Sequence, residues 1–204
     1  MKILKSLLAV ATFAAATGAA LPAGATTLPD LPGIPCSNPV SAAYFSSWGD
    51  QSQYFLAPGA SFAPGAAYPW LAMGGAQAVP GGDPWDVTGT ATPYSALLPA
   101  GGIITSQDFC VDSTDTAIRF FYLSPGTPDA DLKVMLATVG TNGVAVKVVD
   151  VSGGTAGWQV SDPVQLPTLL GTEGNEDLVI SFIAPLNSAP WQVDDVMVDP
   201  FASN

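Results

Sequence analysis

Near the C-terminus the chain reads Trp191-Gln192-Val193-Asp194-Asp195-Val196-Met197-Val198-Asp199. Successive side chains of a strand point to opposite faces. Trp191 and Val193 are apolar on one parity, Val196 and Val198 on the other, so the apolar phase slips at Asp194-Asp195. A β-bulge absorbs such a slip. Two adjacent carboxylates presented by a bulge offer the hard oxygen ligands that calcium prefers. The plainer reading, a solvated acid pair near a strand end, stays open beside it.

Other chemistry is narrowed by what the sequence lacks. With no histidine, Ser-His-Asp and Cys-His arrangements cannot be built, nor can a His-containing zinc site. Acids for a glycosidase pair would come from Asp83, Asp86, Asp112, Asp115, Glu173 and Glu176. No spacing among them singles out an acid and a base, and most sit beside Gly, Pro or Ser, where Asp bonds its own backbone. Gly81-Gly82-Asp83 and Ser152-Gly153-Gly154 read as turns; neither leads into a helix, so neither is a phosphate loop. The reading is that of a protein that is not an enzyme, with glycan cleavage as a distant alternative.

Sugar binding needs flat aromatic faces with amides and carboxylates nearby. Trp70, Trp158 and Trp191 fall inside strand patterns and read as core. Trp85 follows Gly81-Gly82-Asp83-Pro84 at a loop-to-strand junction with Asp86 beside it, and loops carry most binding residues. Trp85, Asp86, Tyr94 and Tyr122 are therefore the ligand-binding candidates.

These residues need a scaffold in a particular compartment. Residues 1–25 have the form of a signal peptide: Lys2 and Lys5, then an apolar run to Leu21, then Ala23-Gly24-Ala25. No later stretch is long and apolar enough to span a bilayer. No lipid anchor is indicated either: no cysteine directly follows the cleavage point, and no apolar tail ends the chain. The protein is thus expected to be secreted. Without the signal, Arg119, Lys133 and Lys147 face 17 acidic residues, which disfavours nucleic acid and anionic lipid. In an exported chain Cys36 and Cys110 predict one disulfide, contributing about 4 kcal/mol in the chain-entropy account.

Residues 26–43 contain Pro29, Pro32, Pro35 and Pro39 and form an extended lead-in. Residues 44–204 form a single domain of short apolar runs between Gly, Pro, Asn and Asp, the spacing of a sandwich or barrel. Expected strands are Tyr54–Leu56, Trp70–Val79, Trp85–Thr88, Tyr94–Leu98, Ile103–Val111, Ile118–Leu123, Leu132–Val139, Val144–Val151, Gly157–Leu166, Leu178–Ile183 and Trp191–Val198. Asn142-Gly143 predicts the turn of a hairpin over Leu132–Val151. The three basic residues, one on each of three successive strands, predict a solvated sheet face.

Phe62, Trp70 with Gly74-Gly75-Ala76, Leu97-Leu98-Pro99, Ile118-Arg119-Phe120-Phe121, Trp158-Gln159 and Trp191 to Val196 occur in a familiar order. The chain resembles uncharacterised secreted actinobacterial jelly-roll proteins, which are similar to galactose-binding-like carbohydrate-binding modules. The resemblance implies an all-β antiparallel sandwich of jelly-roll type and a structural calcium. The ion would be held by a Gly-x-Phe-Glu segment and an Asp-Asp pair. Asp194 and Asp195 match the pair, but Gly59-Ala60-Ser61-Phe62 is followed by Ala63, so one carboxylate is missing. The function implied is a non-catalytic module for extracellular or cell-wall carbohydrate. The alternative is a structural or envelope protein with a protein partner, which predicts an exposed apolar patch.

Overall fold

In the computed structural model, residues 39–89, 93–140, 143–167 and 175–199 are described. Alternating apolar residues and frequent breakers produce thirteen strands among them. In chain order these are β1 (Phe55–Leu56), β2 (Leu71–Met73), β3 (Gln77–Pro80), β4 (Tyr94–Leu98), β5 (Ile103–Thr105), β6 (Phe109–Val111), β7 (Ala117–Pro125), β8 (Asp131–Gly140), β9 (Gly143–Ser152), β10 (Ala156–Val160), β11 (Val164–Gln165), β12 (Glu176–Ile183) and β13 (Trp191–Asp199). A single 3-10 turn, Ser46–Trp48, precedes them.

Two antiparallel sheets pack face to face. The first runs β10-β7-β13-β4-β3, with β1 added to β13 and β11 to β7; the second runs β2-β5-β12-β8-β9, with β6 added to β12. This is the antiparallel β-sandwich expected, consistent with a jelly roll. The core lies between the sheets and takes one parity of each strand: Ile118, Phe120 and Tyr122 of β7, Leu132, Val134 and Leu136 of β8, and Leu178, Ile180 and Phe182 of β12. The outer face of the first sheet has a second, smaller cluster, in which Phe45 and Tyr54 cover Phe121 and Met197.

The slip at Asp194-Asp195 is a bulge: β13 pairs Asp194 with Phe121, then Met197 with Arg119. Asp195 takes φ +41. The bulge also marks a change of partner on the other edge of β13. Trp191–Val193 pair with β4, whereas Met197 and Val198 pair with β1. A gap therefore opens between β4 and β1, opposite the two carboxylates.

Several sequence expectations change. Trp70–Val79 is two strands in different sheets, because Gly74 and Gly75 turn the chain with φ of +62 and +83. Ile103–Val111 and Gly157–Leu166 each divide into two short strands, and Trp85–Thr88 is turn rather than strand. The β8–β9 hairpin pairs Gly140 with Gly143, so residues 141 and 142 connect the strands and Gly143 opens β9. Asn142 lies outside the described residues. Lastly, the three basic residues do not share a solvated face: Lys133 and Lys147 belong to the second sheet, while Arg119 is buried on the first.

Residues 1–25 lie outside the described residues, as does most of the lead-in. Among the described residues, no helix is long and apolar enough to cross a membrane.

Candidate functional site

The gap beside the bulge is a small pocket lined by Ser61, Asp83, Asp86, Thr88, Tyr94, Asp194 and Asp195. Its volume of about 10 Å³ is that of one water molecule or one ion. Asp83, Asp194 and Asp195 are 7 %, 3 % and 4 % exposed. Backbone and hydroxyl donors hold them. The Asp83 N–H donates to Asp194 Oδ2 at 2.9 Å and the Asp195 N–H to Asp194 Oδ1 at 2.9 Å. Thr88 Oγ1 donates to Asp195 Oδ2 at 3.0 Å. Asp83 Oδ1 accepts from the backbone N–H groups of Trp85 (2.8 Å) and Asp86 (3.2 Å), which curls that loop over the pocket.

No basic side chain lines this pocket. Burial, and then repulsion from Asp195, push the Asp194 carboxyl up to about 8. Burial with the charges of Asp83 and Asp86 takes Asp195 up to about 7, against the pull of Thr88. Burial raises Asp83 as well.

The backbone is shaped for this enclosure. Of the four non-glycine residues with positive φ among the described residues, Asp86 and Asp195 line the pocket and Phe62 follows its Ser61; such conformations persist where the surroundings over-determine them. Gly82 has no alternative, because a Cβ there would collide with Asp194 Oδ2.

The donor set suits the calcium ion that the resemblance implies. It is all hard oxygen, no basic side chain lines it, and the volume is that of an ion. Asp83 and Asp86 add two carboxylates to the lining. Among the described residues, however, no three acidic side chains stand in ready metal-binding geometry. Hydroxyls, carbonyls or water would have to complete a coordination shell of six to eight oxygens.

A second cavity, of about 480 Å³, lies between β9 and the chain from Gly154 to Gln165. Tyr122 is at its floor, Val149 and Val151 form an apolar wall, and Lys147, Gln159 and Asp162 present polar groups. The Tyr122 hydroxyl donates to Gln159 Oε1 across 3.5 Å, a long contact. Gln159 Nε2 donates to Thr155 O at 2.6 Å, and Lys147 Nζ to Gln165 O at 3.0 Å. The volume falls in the roughly 300–1,000 Å³ range of small-molecule sites.

The sequence candidates thus separate. Tyr122 reaches this groove. Asp86 and Tyr94 belong instead to the carboxylate pocket, with Asp194 and Asp195. Trp85 lies elsewhere again, 42 % exposed on the outer face of the first sheet. Its ring is tilted 5.3 Å from Phe121 and edge-on to Trp48 at 5.1 Å. Trp191 is fully buried, as its strand pattern predicts. Cys110 stands on β6; its expected partner, Cys36, lies outside the described residues. Gln159 and Asp162 escaped sequence reasoning, since nothing in their spacing points to a groove formed by β9.

No family model matches this chain, and no curated protein does. Solved structures with some likeness include a family 61 carbohydrate-binding module in complex with β-1,4-galactotriose: 15 % identity over 70 % of this chain and 96 % of that one, TM-score 0.43. The xylan-binding family 22 module of Paenibacillus barcinonensis Xyn10C shows 16 % identity over 70 % and 93 %, TM-score 0.44. A family 11 module of a Clostridium thermocellum cellulosomal cellulase shows 14 % identity over 70 % and 92 %, TM-score 0.38. At such scores the likeness carries no argument about what this chain binds; the sandwich fold stands on its own strands.

Proposed function

We propose that this is an exported, non-catalytic carbohydrate-binding module, stabilised by a Cys36–Cys110 disulfide and by calcium at the β13 bulge. The observation that carries the reading is the groove beside β9. An aromatic floor, an aliphatic wall, an amide and a carboxylate are the groups that contact a saccharide's ring faces and hydroxyls. Calcium supplies rigidity rather than chemistry: Asp83, Asp86, Asp194 and Asp195 would hold it, fixing the end of β4 against the bulge.

The test is a glycan-array and insoluble-polysaccharide screen with calcium present. A reproducible hit that Gln159→Ala and Asp162→Ala each weaken about tenfold supports the reading. A hit lost in Trp85→Ala but kept in those variants moves the site to the first sheet's outer face. No hit with correctly folded protein overturns the carbohydrate reading.

A further inference from the structure

The two sheets differ in how their outer faces are finished. Residues 42–54 cover the first with Phe45, Tyr54 and Trp48. Among the described residues no comparable layer lies over the second. There Val144, Val146 and Val148 of β9 are 58 %, 58 % and 56 % exposed. They pair across the strand with Val139, Ala137 and Met135 of β8, in that order, and Val179 of β12 continues the row through Ala137. The inward parity of β8 and β12 is fully buried, so these residues belong to the outward one. The far edge ends in the exposed Leu71 and Met73 of β2.

Charge on this face is sparse for a chain of net charge −12. Toward one end of β8, Lys133 pairs with Asp150 at 2.7 Å, and Asp131 stands beside it on the same parity. Asp177 sits toward the other end, where β12 pairs with Val139. Elsewhere the acidic surface of one copy repels that of another.

We propose that this face is a homodimer interface, two copies packing their second sheets against each other about a two-fold axis. An isologous contact must be self-complementary. A two-fold perpendicular to the strands lays the valine rows of the two copies together, so the apolar rows rather than the charges at the strand ends carry the contact. With strands about 4.8 Å apart and about 3.4 Å per residue, the face covers roughly 500 Å² per copy. The pair would bury about 1,000 Å² in total, the size at which a specific interface becomes sustainable. Aligned sheets already pack this way within a sandwich, at about −30°. The inference is independent of the carbohydrate reading, since the groove's apolar wall, Val149 and Val151, has the opposite parity on β9 from Val144, Val146 and Val148.

Sedimentation velocity of the full chain, from about 1 µM to about 1 mM, tests it together with Val146→Lys and Ala137→Lys. A monomer–dimer equilibrium whose dissociation constant rises at least tenfold in both variants, with unchanged circular dichroism, supports the proposal. A monomer throughout the range overturns it, as does a dimer indifferent to both substitutions. Hydroxyl-radical footprinting identifies what covers the face if the chain is monomeric. Protection of the valine row there would assign the face to the chain's own residues before Pro39, drawn in by a Cys36–Cys110 bridge, and would equally overturn the dimer.

Discussion

Two acid sites beside the first sheet, one partly and one deeply buried, treat negative charge in opposite ways. At Asp50 a guanidinium answers it: Arg119 Nη1 donates to Asp50 Oδ2 at 2.7 Å, and the Tyr54 hydroxyl donates to the same oxygen at 2.8 Å. Arg119 Nε donates to Ser161 O at 2.9 Å, and its guanidinium lies 4.5 Å above the Phe45 ring. Burial pushes Asp50 up, but the Ser52 N–H, Tyr54 and Arg119 together outweigh it and leave the carboxyl below its ordinary value. At Asp194 and Asp195 the donors are only amides and a hydroxyl, and burial with mutual repulsion wins. A partly buried carboxyl with an arginine partner is thus a firm anion, and two deeply buried ones without a cation prefer their protons. Depth and a full positive charge both separate them.

The sharpest way to break the contrast is to remove that charge. Arg119→Met leaves Asp50 and Ser161 O without their partner. Breaking a buried pair from one side costs about 3–5 kcal/mol, with the lower end expected because Asp50 keeps some solvent. Urea denaturation reads the loss directly, and an unchanged midpoint would mean that the pair contributes nothing.

The second prediction concerns pH. Asp194 in the folded, metal-free chain holds its proton to about 8, whereas the unfolded chain releases it near 4. Between those values the folded state binds more protons, so stability falls as pH rises from about 4 to about 8. Asp50 works in the other sense, losing its contribution only as pH drops through the carboxylate range. Melting of chelated protein at pH 5 and pH 8 should show the higher midpoint at pH 5, and Asp194→Asn should shrink the difference. Calcium should restore the pH 8 midpoint, by about 2.7 kcal/mol at a hundredfold excess over its dissociation constant. Equal midpoints with calcium and with chelator at pH 8 would remove the ion from the account.

The smallest expected effect sharpens the comparison from outside. Lys133 and Asp150 are as close as Arg119 and Asp50, 2.7 Å in each case, but their side chains are about half exposed. Lys133→Ala should leave the melting midpoint within error of the parent, as exposed pairs usually do. A drop approaching that of Arg119→Met would show that proximity alone sets the strength.

Legibility in the sequence follows the range of the interactions. The bulge was readable because parity is local: four apolar residues and two acids fix it. The long β8–β9 hairpin was readable for the same reason. Asp83 was not readable as a neighbour of Asp194, because 111 residues separate them and only the gap between β4 and β1 brings them together. Arg119 was misassigned because strand position alone does not reveal a covering segment. Its ion partner, Asp50, belongs to a stretch that reads as loop. Trp85–Thr88 failed as a strand because Asp83 captures the N–H groups of Trp85 and Asp86 in a turn.

The order of strands has a consequence for how the protein comes into being. β12 lies between β5 and β8, and β13 between β7 and β4, so the middle of each sheet is supplied by one of the last two strands in the sequence. A nascent chain lacking them holds only edges and hairpins, with no closed core. Such long-range pairing is slow to form, and here neither sheet can close before β12 and β13 have been made. Until β12 and β13 arrive the polypeptide stays open, and this one late pair of strands then closes both layers.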